Sequence, residues 1–103
     1  MSISGRYPRL REKLRRAVLE APADTDPALR RAAYHGDDLP EPLTAYMGKL
    51  RRHAYRVLDG DIERMRGAGY SEEQIFEVTI AASLGAGDSR LHAGMSALNE
   101  ALR

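Results

Sequence analysis

Apolar side chains along this chain cluster at helical spacing, and no stretch alternates apolar and polar as a half-buried strand would. Leu10, Leu14, Ala17 and Val18 stand at i, i+4, i+7 and i+8; with Pro8 in a first turn, they predict an amphipathic helix ending near Glu20. Asp26 as a cap and Pro27 just inside it predict a short second helix to about Tyr34. Beyond Leu39-Pro40-Glu41-Pro42, the stripe Leu43, Tyr46, Met47, Leu50, Ala54 and Val57 predicts a longer helix. A brief helix from Leu58 or Asp59 then turns Ile62 and Met65 inward and stops at Gly67-Ala68-Gly69.

The best-marked start in the chain is Ser71. Ser71 and Gln74 form a capping box, Tyr70 and Ile75 occupy the hydrophobic-staple positions, and Glu72 and Glu73 complement the helix dipole. From Ile75 to Gly87 the only charged side chain is Glu77, and small residues outnumber large ones. A helix apolar nearly all round is buried, at a domain centre or in an oligomer interface. Gly85 and Gly87 lower helix propensity enough to predict a break there, with Asp88 and Ser89 restarting a helix along Leu91, Met95, Leu98 and Leu102. The fold class is therefore all-α: five or six helices around a central apolar helix, in one domain over 1–103, with 1–7 as a flexible tail.

Composition narrows the chemistry. The 103 residues include no cysteine, which excludes disulfide scaffolds, Cys-based zinc and iron–sulfur sites and any thiol nucleophile of the chain's own. No run is long and apolar enough to predict a membrane span or the core of a signal peptide, so a cytoplasmic location is expected. Residues 1–56 carry 12 basic and 7 acidic side chains (+5), and residues 57–103 carry 4 and 8 (−4). Opposed halves suit packing within a chain or between copies better than a nucleic-acid patch. The basic run Arg6, Arg9, Arg11, Lys13, Arg15 and Arg16 has Tyr7 as its only aromatic and no groove-reading motif after it, so nucleic-acid binding is disfavoured.

His35, His53 and His92 lie on separate segments without the i, i+4 spacing of a helical zinc site, so no metal is expected. His53 reads first as a hydrogen-bonded structural histidine. Glu77, inside the apolar run, either has a raised pKa or pairs with an arginine; pairing or surface exposure is the favoured reading. Neither a nucleophile elbow nor a phosphate-binding glycine loop is present, and no cofactor is expected.

From Leu39 to Leu98 the order is a Pro-flagged helix, Asp59-Gly60-Asp61-Ile62-Glu63-Arg64-Met65-Arg66, then Gly69-Tyr70-Ser71-Glu72-Glu73-Gln74-Ile75-Phe76-Glu77, and an Ala/Gly-rich helix with Arg90-Leu91. This resembles the C-terminal part of the alkylhydroperoxidase D-like, or carboxymuconolactone decarboxylase, superfamily. The resemblance implies a helical hairpin fold assembled as dimers, trimers or hexamers. The peroxidase branch acts through a Cys-x-x-Cys pair on a preceding helix, which this chain lacks, so no catalytic residue carries over.

Three functions follow as expectations. The first is a cysteine-free homo-oligomeric scaffold or small-ligand-binding protein, assembled through the Ile75–Gly87 helix. The second is an acid/base decarboxylase or isomerase acting on a small organic acid, with Glu77, His53 and Tyr55 moving protons and Arg90 and Arg52 holding the carboxylate. The third is an adaptor for nucleic acid or an acidic partner through residues 6–16.

Overall fold

The computed structural model describes residues 7–103, so the tail expected over 1–7 lies outside the described residues except for Tyr7, which begins a helix. Five α-helices follow in order: α1 (Tyr7–Leu19), α2 (Pro27–His35), α3 (Leu43–His53), α4 (Asp59–Gly67) and α5 (Glu72–Ala101). A single 3-10 turn over Ala54–Arg56 separates α3 from α4. No strand occurs among the described residues. The chain is all-α, as its periodicity predicts.

Local chemistry sets most of the ends. Asp26 lies in the extended region and its Oδ1 accepts from Ala28 N at 2.8 Å, which caps α2. Gly36, at φ 75°, closes the same helix, with Asp37 N donating to the Ala32 carbonyl at 2.9 Å. The Ser71 box is complete: Gln74 N donates to Ser71 Oγ at 3.1 Å, and Ser71 N to Gln74 Oε1 at 2.9 Å.

Two boundaries depart from the sequence reading. The stripe that predicts helix as far as Val57 ends at His53, whose φ of −147° and ψ of 61° turn the chain away. The turn lets Asp61, at the start of α4, reach back to α3: Lys49 Nζ donates to both carboxylate oxygens, at 2.8 and 3.1 Å. In one unbroken helix those residues would lie about 18 Å apart. Asp61 also accepts from Leu58 N at 2.9 Å and pairs with Arg64, and these contacts, led by the Lys49 bond, hold its pKa below the ordinary carboxylate value.

The second departure is α5, which runs unbroken for 30 residues through both Gly85 and Gly87. Gly85 is required by close packing. A Cβ there would lie 1.9 Å from the Tyr34 carbonyl oxygen, so only glycine lets α2 and α5 approach this closely. Ile75, Val78, Ala81 and Ala82 share its buried face, and with Leu19, Ala33, Leu43, Tyr46, Met47 and Met65 they form the core. α5 touches each of the other four helices. Its small-residue face is thus filled inside the single chain, chiefly by α2, while Phe76 and Ile80 of the same segment stay exposed.

Candidate functional site

Glu77 projects from the second turn of α5 toward the loop between α1 and α2. Its Oε1 accepts from Thr25 N at 2.8 Å and from the Thr25 hydroxyl at 2.6 Å, while Oε2 accepts from Asp24 N at 3.0 Å. Partial burial pushes its pKa up, but the Thr25 hydroxyl, the two amides and the charge of Arg30 outweigh that and leave it lowered. Both oxygens are occupied in holding the loop. The raised pKa that an apolar helix suggests is not found, and the group stays ionised as an acceptor.

The other sequence-predicted residues lie elsewhere. His53 ends α3 and meets Tyr55 edge-to-face, with 3.3 Å between Tyr55 Oη and His53 Nδ1. Tyr55 is 77% exposed, under the guanidinium of Arg56. Arg52 borders a groove with Asp37, Asp38 and Thr44. Arg90 sits on α5 and reaches the Arg51 carbonyl at 3.5 Å. Thirteen residues of continuous helix put Glu77 and Arg90 about 20 Å apart, too far to share one small acid. The five residues do not assemble into one acid/base site.

Sequence reasoning missed the two arginines that join the helices. Arg30, 2% exposed, donates to the carbonyls of Val18 at 2.7 Å, Ala21 at 2.8 Å and Thr25 at 3.4 Å, closing the C-terminal end of α1. Arg51 does the same for α2, its Nη2 donating to the Ala33 and Tyr34 carbonyls at 2.7 and 2.8 Å. Nothing in the spacing of either arginine marks it as a clamp.

Between these elements lies a polar cleft. The Tyr34 hydroxyl donates to Asp88 Oδ2 at 2.6 Å, and Arg11 pairs with Asp88 Oδ1 at 3.4 Å. Burial, together with the bond to Asp88, raises the Tyr34 pKa, so the hydroxyl keeps its proton. The basic run on α1 is partly engaged within the chain: Arg15 and Arg16 pair with Glu12, and Arg15 stacks over the Tyr34 ring at 5.2 Å.

The described residues hold no group of three or more metal-ligating side chains, and no helix is long and apolar enough to cross a membrane. Comparison with protein families, curated proteins and solved structures finds no match to this chain.

Proposed function

We propose that the protein is a cysteine-free, homo-oligomeric helical scaffold of the alkylhydroperoxidase D-like kind, whose copies meet along the C-terminal half of α5. The observation that carries this reading is an apolar stripe with no covering element. Leu91, Met95, Leu98 and Leu102 are 45, 37, 50 and 74% exposed, and every residue from Ser89 onward is exposed. Their spacing of four, three and four residues is that of a coiled-coil seam. Toward the bundle the stripe continues through Leu84 and, on α1, Leu14, which border one groove with Leu91.

A second copy is the occupant that fits. One helix face carries the whole stripe, so a two-fold axis across it lets each copy supply both knobs and holes. The flanking charges Arg90, Glu100 and Arg103 are of mixed sign, which avoids repulsion between like surfaces. Each large side chain fully removed from water contributes about 1.5–3 kcal/mol, and eight of them would meet in a pair.

Sedimentation velocity at tens of micromolar is expected to show a discrete oligomer. The double substitution Leu91→Asp with Leu98→Asp is expected to return it to a monomer whose bundle remains folded. A wild-type chain that sediments as a monomer overturns the reading.

A further inference from the structure

We infer that the cleft between α1, α2, α3 and α5 is a binding site for a small oxyanion of charge −2, a dicarboxylate or a phosphate monoester. The cleft is open to solvent, has a volume of about 420 Å³ and is lined by Arg11, Tyr34, His35, Arg51, Asp88 and His92. That volume falls within the range of small-molecule sites.

Arg51 Nη2 is fixed by two backbone carbonyls at the end of α2, and its Nε is buried without a hydrogen-bond partner. Among the described residues no carboxylate lies within ion-pairing distance of it. The guanidinium is therefore rigid and partly desolvated, and Nη1, which makes no hydrogen bond among the described residues, is the nitrogen left for an anion.

The remaining lining groups point to the same ligand. Asp88, the one acid in the cleft, has each oxygen already engaged, by Arg11 and by the Tyr34 hydroxyl. The Arg11 contact is long at 3.4 Å and its side chain is half exposed, so it is free to turn toward an incoming oxygen. Arg11 and Arg51 against Asp88 leave the lining at +1, and Arg90, whose guanidinium touches the Arg51 backbone, adds a further positive charge beside it, which together suit a dianion. The Tyr34 and His35 rings, edge-to-face at 5.0 Å, supply a wall for the carbon part of the ligand.

The cleft shares Arg11 and Asp88 with the groove at the foot of the assembly stripe, so its test reads ligand binding and not the oligomeric state. Titration calorimetry of the full chain with succinate and with inorganic phosphate, against chloride at equal ionic strength, is the measurement. Saturable binding of either supports the site, and the stronger of the two identifies the acid class. Arg51→Ala removes a helix clamp and endangers the fold, so the variants are Arg11→Ala and His92→Glu, both at exposed positions, with folding checked by circular dichroism. Arg11→Ala is expected to weaken binding about tenfold, the effect of losing one charge-assisted contact, and His92→Glu at least as much, because it sets a like charge against the anion. Arg52→Ala, in the neighbouring groove, is expected to bind as the wild type does. No saturable binding of either probe, or equal affinity in all three variants, overturns the inference.

Discussion

The absence of one methyl group governs how α2 and α5 meet. At Gly85 the backbone of Tyr34 occupies the place a side chain would take, so Gly85→Ala must push two helices apart along their largest shared face. Overpacking of this kind costs about 1–3 kcal/mol, and the obstructing atom is backbone, which cannot rotate away. Gly48, in the middle of α3, has nothing within 4 Å of its would-be Cβ. Gly48→Ala is therefore expected to stabilise the protein by about 0.5–1 kcal/mol through helix propensity alone. Urea denaturation of the two variants should move the midpoint in opposite directions. Equal shifts would contradict the close approach at residue 85.

The elements are held to each other by polar groups that finish what hydrophobic periodicity begins. Glu77 ties the start of α5 to the α1–α2 loop, and its pKa lies below the ordinary value of 4.5. A carboxylate depressed in the folded state contributes its stability above the unfolded pKa and loses it as pH falls through the folded one. Wild-type stability should accordingly decline on acidification below about pH 4.5. Glu77→Gln should be less stable than wild type at neutral pH, with the gap closing in acid; a gap that persists unchanged would remove Glu77 from this role. What the sequence reveals follows the reach of its signals. Ser71 with Gln74, and Asp26 with Pro27, are local and appear at the predicted positions. The end of α3 is not local, because Val57 keeps the apolar period while the Lys49–Asp61 contact requires a turn before it. The continuity of α5 is hidden for a related reason: the glycine that looks like a break is a packing requirement set by Tyr34, 51 residues away. Glu77 was recognisable as the odd charge in an apolar run, but its partners, Asp24 and Thr25, lie in a linker with no pattern of its own. The clamps Arg30 and Arg51 were likewise illegible, since an arginine that bonds carbonyls leaves no mark in charge pairing.

At the scale of the whole molecule the chain is a bundle with a rod leaving it. Its longest extent is 51 Å, close to the length of about 45 Å that a 30-residue helix spans, while the other extents are 29 and 19 Å. The half of α5 beyond Asp88 touches little else, and a helix of about 13 residues without packing is marginal in water. In the proposed assembly the tip gains its packing only from another copy, so ordering the tip and joining the copies are one equilibrium. Far-ultraviolet circular dichroism should thus report more helix per residue as protein concentration rises, and Leu98→Asp should abolish that dependence. A signal that is flat across the range in which the oligomer forms would separate the two events. With ordering and assembly coupled, the continuous α5 makes helix content itself a function of how many copies are present, and simple dilution unwinds one end of the protein while leaving the other folded.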